Sequence, residues 1–476
     1  MKKKILARTT LLLGSCIFWL TGSAQIQTVT LTTGKNIGEP LTLVVNPRAA
    51  VSVDWGDGNA VKVTADTITG TLTSQTVTIT GGKYWETLVC EGQELTQLEL
   101  RQTTNLKNIY CQDNQLTAIS LTSCMALERL NCSNNQLKNL SFSMRNANLE
   151  YLNCSKNELT TLSITSLKKL KTLICDNNLI TSLNTSTSSD LRTIWCENNA
   201  IKSLYLTNNK AIYSLMCADN QITNISLAPN IPALTELWCE NNSIDRLALS
   251  GSSLKMLDCS NNGLSSIEYP SYVSSTNNMY AVFCDYNNLN FNNMIPRSYV
   301  ADHFVYGPQN NFNLPVEAIN IDETLDLSEY NNTPYMNRIT TYTWYSYDGT
   351  PLKKGSKTSG ADYQVSLGKT TFYTQQKGGT YCVLTSSKYP DLAIRSSWLI
   401  VKDPSDPNAI GTVQADNGLK YQYNGTSLNV QADQPTKVTI YTVSGMMVWD
   451  GTVDQNGTNI PLKKGIYLLN GKRIIL

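Results

Sequence analysis

The 476-residue chain has a single histidine, His303. That excludes His-rich metal centres and most chemistry that passes protons through imidazole. Charge is also scarce, at 16% of residues against about a quarter in an average soluble protein. The formal net charge is +1, and Lys2, Lys3, Lys4 and Arg8 crowd the first few residues; without those four the balance falls to −3. A near-neutral, slightly acidic chain lacks the basic footprint of a nucleic-acid binder. No H-E-x-x-H, phosphate-cradling glycine loop or nucleophile–base constellation is present. Beyond the first 24 residues no run approaches the roughly 20 apolar residues of a membrane-crossing helix. These absences predict no enzyme, no cofactor, no nucleic acid and no transmembrane span. The length allows roughly three or four domains. What the chain does have is cysteine, thirteen in all. Taken as a count, this suggests disulfides or zinc.

Residues 1–24 read as a secretory signal peptide. Lys2–Lys4 and Arg8 form the basic start, Leu11–Leu20 the apolar stretch, and Gly22-Ser23-Ala24 the small residues before a cut at Gln25. The alternative is a lipoprotein signal at Leu13-Gly14-Ser15-Cys16, with Cys16 lipidated. Either places the mature chain outside the cytoplasm, secreted or at the outer-membrane surface.

The cysteine spacing overrides the cysteine count. Ten of them fall at 90, 111, 132, 154, 175, 196, 217, 239, 259 and 284, mostly 21 or 22 residues apart. Around each recurs the frame L-x-x-L-x-C-x-x-N-x-L, as in Leu127, Leu130, Cys132, Asn135, Leu137, or Leu234, Leu237, Cys239, Asn242, Ile244. The pattern resembles leucine-rich repeats, with Cys where the third leucine often stands. It is most similar to the cysteine-ladder internalins, bacterial surface proteins with repeats of about 21 residues. The first copy departs, with Trp85 and Gln93 for the leading leucine and the asparagine. The last departs too, led by Met279 with Phe291 displaced. Atypical end repeats are what capping requires. The expected fold is mainly β: a right-handed leucine-rich-repeat solenoid of about ten turns over 84–310, flanked by small β-sandwich domains.

One turn cannot bury its own apolar face, but stacked turns bury a continuous core. The recurring Asn (114, 135, 157, 178, 199, 220, 242, 262, 287) is expected to form an internal ladder that satisfies backbone groups where the chain leaves each strand. Stacked cysteines have parallel Cβ vectors about 4.8 Å apart, wider than the roughly 3.5–4.5 Å of a disulfide. Packing as reduced thiols is therefore expected, with disulfides or metal as the alternatives. Cys124 lies on the back of a turn, outside this logic.

Within the frame, positions 4 and 6 point inward, so 3, 5 and 7 face out on the concave side. Position 5 carries Tyr110, Ile174, Trp195, Met216, Trp238 and Phe283, and position 7 carries Asp176, Glu197 and Glu240. An exposed aromatic row edged by carboxylates marks an interaction surface, and acidic edging suits a partner with basic groups. That partner is a protein, a peptide or a glycan, since Trp also stacks on sugars. A paired-carboxylate enzyme site using Glu197 and Glu240 is the rival reading.

The flanks are strand-like. In 25–83, Val53-Asp54-Trp55-Gly56-Asp57-Gly58 resembles the signature of PKD domains, which are small extracellular β-sandwiches. The segment is short for one, so it is a small domain or a cap fused to the first repeat. Asp54, Asp57 and Asn59 have the oxygen chemistry for calcium, but a Gly-Asp-Gly turn explains them without an ion. In 311–402, Thr343-Trp344-Tyr345 followed by Gly379-Thr380-Tyr381 resembles an immunoglobulin-type sandwich. The disulfide of antibody domains is absent, and Cys382 is expected to be free. Residues 403–417, opening on Asp403-Pro404-Ser405-Asp406-Pro407, form a linker. In 418–476, Val438-Thr439-Ile440-Tyr441, Ser444-Gly445-Met446-Met447-Val448 and Lys464-Gly465-Ile466-Tyr467-Leu468 resemble the type A C-terminal sorting domain of type IX secretion cargo from Bacteroidota. The upstream Y-P-N-P of that family is missing. The resemblance implies recognition by the type IX secretion machinery and display at the cell surface.

Overall fold

The computed structural model describes residues 26–46, 50–227, 231–249, 251–269, 279–331, 340–405, 414–415, 419–423, 426–442, 446–463, 465–470 and 472–475. The signal segment 1–24, with Cys16, lies outside the described residues, as do Ser444, Gly445 and Lys464 of the sorting motif. The chain forms two compact units, Met1–Leu191 and Arg192–Leu476.

The first unit opens with an antiparallel sheet in the order Val61–Val63, Val51–Asp54, Thr76–Gly81, Gln27–Thr33, Leu95–Arg101. Alternation builds it: Val29, Leu31, Val51, Val53, Val77 and Ile79 are buried on one face. Its last strand belongs to the first repeat turn, where Leu98 and Leu100 align with Leu31 and Val29. A second link is the strand Pro40–Val45, which pairs antiparallel with the first repeat strand, Thr87–Val89. The N-terminal segment and the first turn therefore share both sheets. Trp85, which replaces the leading leucine, is fully buried where they meet. A Cβ on Gly81 would lie 2.6 Å from its ring, so this position requires glycine.

From Thr87–Val89 the strands Asn108–Tyr110, Arg129–Asn131, Tyr151–Asn153 and Thr172–Ile174 pair in parallel, register for register. Leu88, Ile109, Leu130, Leu152 and Leu173 stack as one fully buried row, with the cysteines as the next row inward. Each turn leaves its strand through a left-handed residue, such as Asp113, Asn134 or Asn177, a conformation that Asn and Asp tolerate best among side-chain-bearing residues. The adjacent Asn forms the expected ladder. Asn135 accepts from Leu116 N–H at 2.9 Å and donates to the carbonyls of Cys111, Cys132 and Ser133 at 3.0–3.2 Å.

A second buried row runs behind the first: Thr103, Cys124, Asn146, Leu167 and Ser188. This accounts for Cys124. Its sulfur sits 3.3 Å from Thr103 Oγ1, and its carbonyl accepts from Asn146 Nδ2 at 3.2 Å. The row escapes sequence inspection because its residue type changes at every turn.

The second unit continues the same architecture. Thr193–Trp195, Ser214–Met216, Glu236–Trp238, Met256–Asp258 and Met279–Phe283 pair in parallel, and Val300–Val305 adds one more strand. That final turn has no cysteine, and no asparagine in the ladder register. Tyr306 stands in the cysteine register, and Gln309 replaces the asparagine, donating to Cys284 and Tyr306 carbonyls at 2.8 and 2.7 Å and accepting from Leu289 N–H at 3.1 Å. The longer side chain performs the same capping, which is why a search for L-x-C-x-x-N stops one turn short.

Residues beyond 311 form a sandwich of two sheets, ordered Ala318–Asn320, Leu399–Lys402, Gln376–Ser386, Thr340–Ser346 (with Tyr389–Arg395 on the third) and Thr324–Asp326, Lys369–Phe372, Tyr363–Ser366. Trp344 is its centre, edge-on to Phe372 at 4.8 Å with Nε1 donating to Thr370 Oγ1 at 3.2 Å. Cys382 sits directly across the ladder from Trp344, a buried free thiol packing against the core. Tyr389 ties the sandwich to the last turns: it stacks on Phe291 at 6.0 Å, meets Tyr306 edge-on at 5.3 Å, and donates to Ile295 O at 3.3 Å. Residues 419–475 form a third, smaller two-sheet sandwich around Tyr421, Leu428, Val430, Val438, Ile440 and Ile460.

All twelve described cysteines are free and buried. Burial pushes the thiols of Cys111 and Cys154 up to about 12 and that of Cys124 to about 11. The thiolate is the reactive form. The folded protein is therefore expected to give no reaction with a water-soluble disulfide reagent at about pH 8. Denaturant should release every described thiol. Fast labelling of any ladder cysteine in the folded state would contradict buried packing.

Candidate functional site

The concave face is set by the strand pleat, which turns positions 3, 5 and 7 of each turn outward. In the first unit most of this face is satisfied internally. Arg129 lies over the Tyr151 ring at 4.3 Å, and its Nε donates to Tyr110 Oη at 3.3 Å. Asn131 Oδ1 accepts from Ser133 N and Oγ at 3.2 and 2.8 Å; Asn153 repeats this with Ser155 at 3.1 and 2.8 Å. Asp176 accepts from Asn177 Nδ2 at 2.7 Å, and Ile174 is partly buried.

The second unit begins differently. Trp195, Met216 and Trp238 align side by side in successive registers. They are partly buried rather than exposed as the sequence suggests. The reason lies in their neighbours. Small residues stand beside the large ones: Thr193 is 6% exposed, Ser214 2% and Ala218 1%. On a pleated face, diagonal neighbours come within reach of aromatic side chains, so short residues here leave the large ones more contact area. One turn further, Asp258 and Ser260 repeat the self-satisfied pair, at 3.0 and 2.7 Å. Phe283, beyond it, is partly buried.

Along this row, buried polar atoms are left without partners. Trp195 Nε1, Ser214 Oγ and Glu240 Oε2 are each buried with no hydrogen-bond partner. Buried polar groups are nearly always paired, because an unsatisfied one costs about 1–3 kcal/mol. Gln112 Oε1, in the first unit, is a fourth such atom among the described residues. The carboxyl of Glu240 is pushed up to about 7, mainly by burial, with repulsion from Asp258, Glu197 and Asp219 adding to it. Asp285 is also raised, by burial first and then by Asp258. Ser214 was not singled out by sequence; only its burial between aromatic registers reveals it.

The PKD-like turn stands apart from this face. Asp54 Oδ1 accepts from Gly56 and Gly58 N–H at 2.8 and 3.1 Å, and Asp57 Oδ1 from Asn59 N–H at 2.9 Å. Trp55 packs flat over Gly70, where a Cβ would come within 2.1 Å of the indole. The turn's geometry accounts for its glycines and for one oxygen of each carboxylate.

A family model for leucine-rich repeats (two copies) matches residues 104–143. No curated protein matches the chain. Among solved structures, the chain is similar to the functional domain of InlJ from Listeria monocytogenes, which includes a cysteine ladder (17% identity, 68% of this chain and 93% of that one, TM-score 0.36). It is also similar to InlP from Listeria monocytogenes (17%, 63% and 81%, 0.37) and to YopM, a leucine-rich effector protein from Yersinia pestis (24%, 48% and 62%, 0.38). Residues 104–143 thus match leucine-rich repeats, and the solved structures the chain is similar to include internalins. No helix among the described residues is long and apolar enough to cross a membrane.

Proposed function

We propose that the chain is a secreted or surface-displayed, adhesin-like binding protein that grips an extracellular protein or peptide through the concave face of its repeats and catalyses no reaction. The observation carrying this reading is the Trp195, Met216 and Trp238 row, aligned in successive registers, only partly buried, and edged by Glu197 and Glu240. A photo-crosslinking residue at position 216 should trap a partner from the extracellular surroundings. The same residue at Tyr205, which is 63% exposed and off this face, should not. Equal trapping at both positions, or none at 216, would refute the placement.

Export through 1–24 and sorting through 418–476 by the type IX machinery belong to the same proposal. Deleting 418–476 should then leave the protein in the periplasm, readable by cell fractionation. Surface display of the truncated chain would remove the sorting role.

One observation favours a second reading. Glu240, with its raised carboxyl, lies two registers from Glu197, with Trp195 and Trp238 each just before the cysteine that precedes them. Together with the indoles this fits a glycan-binding module, or an accessory to an extracellular enzyme. Turnover of a polysaccharide that vanishes in Glu240→Gln would establish it.

A further inference from the structure

The sandwich beyond residue 311 carries a surface separate from the repeats. In its larger sheet Trp344, Cys382, Ile394 and Leu399 are buried in the core. The residues next to them in the chain, Tyr345, Tyr381, Arg395 and Trp398, therefore lie on the sheet's outer face. Tyr345 and Tyr381 stand directly across the ladder and stack at 5.4 Å, their planes 13° apart. Trp398 meets Tyr381 edge-on at 5.1 Å. Arg395 lies over the Tyr381 ring at 3.8 Å and over Trp398 at 5.0 Å. Two glycines with φ of 96° and 92°, Gly378 and Gly379, seat the outermost rings. A Cβ on Gly378 would come within 2.9 Å of the Tyr347 ring, and Trp398 lies against Gly379, 3.5 Å from where its Cβ would be. Backed by bare backbone, Tyr347 and Trp398 stay 57% and 44% exposed.

We infer that this face is a flat platform for an acidic polysaccharide, with sugar rings laid on Tyr347 and Trp398 and a uronate carboxylate on Arg395. Exposed aromatics gathered on one face mark an interaction surface. Charge selects the partner. A guanidinium presents five donors in a planar fork that fits a carboxylate. Among the described residues no acceptor meets that of Arg395, whose side-chain contacts are the two rings. The rings hold the fork in place, and with this cation already on them they do not call for a second. The outward neighbours Thr343, Val383, Ala393 and Ile400 are uncharged, and Lys402, further along the Trp398 strand, has the same sign as Arg395. The acids nearest in the chain have other partners: Asp348 accepts from Ser346 and Thr350, and Asp391 faces the Tyr306 hydroxyl. The platform is thus complementary to an anion.

Shape separates a sugar from a peptide. A pyranose ring has a flat hydrocarbon face, and a uronate carries its carboxylate on the same ring. One such residue can cover an aromatic ring and reach Arg395 at once. An aspartate or glutamate side chain brings its charge on a flexible stem and has no flat face to lay down.

The test uses the full chain in calorimetric titrations with tetragalacturonate, a hyaluronan hexasaccharide, the methyl ester of each, and heptaglutamate. At least one of the two acids should bind, and at least about tenfold more tightly than its own ester. Arg395→Gln should erase that preference. Trp398→Ala and Tyr347→Ala should each weaken acid and ester alike, by about tenfold. Tyr205→Ala, at an equally exposed tyrosine of the repeats, should change neither. Melting points within a few degrees of the parent check the fold, and the comparison of acid with ester needs no variant. No binding of either acid, equal binding of acid and ester, or unaltered affinity in both ring variants overturns the inference. Heptaglutamate bound as tightly as the uronates also overturns it, in favour of an acidic peptide. Trp195→Ala/Trp238→Ala should leave uronate binding intact, and its loss there would move the sugar to the repeats. Crosslinking at position 216 tests the concave face separately, so either site can fail without the other.

Discussion

Asn135→Ala should cost the repeat domain about 3–5 kcal/mol, a large part of the 5–15 kcal/mol that holds a typical domain together. The side chain makes four bonds, one accepted from Leu116 N–H and three donated to carbonyls on its own turn and the preceding one. Alanine leaves these backbone groups buried and unpaired, at about 1–3 kcal/mol for each that finds no substitute. Asn135→Leu, which fills the space without the bonds, should cost as much, separating lost hydrogen bonds from an empty cavity. Asn148→Ala is the control: Asn148 is exposed, donating to Met125 O at 3.4 Å and accepting from Lys169 Nζ at 2.9 Å, and surface bonds of this kind should cost within about 0.5 kcal/mol when lost. Urea titration of each variant, followed by circular dichroism, reads the difference. If Asn135→Ala and Asn148→Ala share a midpoint, the ladder is not what fixes the turns.

The same ladder shows how far the sequence could be read. Leucine, cysteine and asparagine recur by type, because a row that stacks on itself at one depth in the core admits few shapes, and this made the solenoid and its inward faces legible. Where geometry is kept but type changes, the pattern fails. Gln309 does the work of asparagine one turn beyond the last cysteine, and the row through Thr103, Cys124, Asn146, Leu167 and Ser188 uses a different residue at each step. The site was half legible. Pleat alternation placed Trp195, Met216 and Trp238 on one face, as the structure has them. It could not show that they are partly buried, because that depends on which residue lies in the neighbouring register, some 21 positions away in the chain. Nor does spacing reveal an atom without a partner. Asn131, Asn153 and Asp258 look as available as Glu240 in sequence, yet each is occupied by the serine two residues on.

That contrast fixes where binding energy should reside. In the double variant Trp195→Ala/Trp238→Ala, affinity for the partner trapped at position 216 should fall at least about a hundredfold. Each indole is a large apolar side chain left partly open on this face, and Trp contacts at interface centres are commonly worth about 2 kcal/mol or more. Two such losses exceed the roughly 2.7 kcal/mol that a hundredfold change represents. Tyr110→Ala provides the opposite expectation. Tyr110 holds the same position 5 in its own turn, but its hydroxyl already takes Arg129 Nε at 3.3 Å, so its removal should alter affinity less than about threefold. The double variant must keep its fold for the comparison to count, and it should: neither indole is fully buried, and the leucine row beneath, Ile194, Leu215 and Leu237, is unchanged and inaccessible to solvent. Far-UV circular dichroism and a melting point within a few degrees of the parent check this, and calorimetric titration with the partner gives the affinities. Unchanged affinity in the double variant, or a Tyr110→Ala loss as large as its own, would move the site away from the registers of Trp195 to Trp238 and towards the internally paired turns before them.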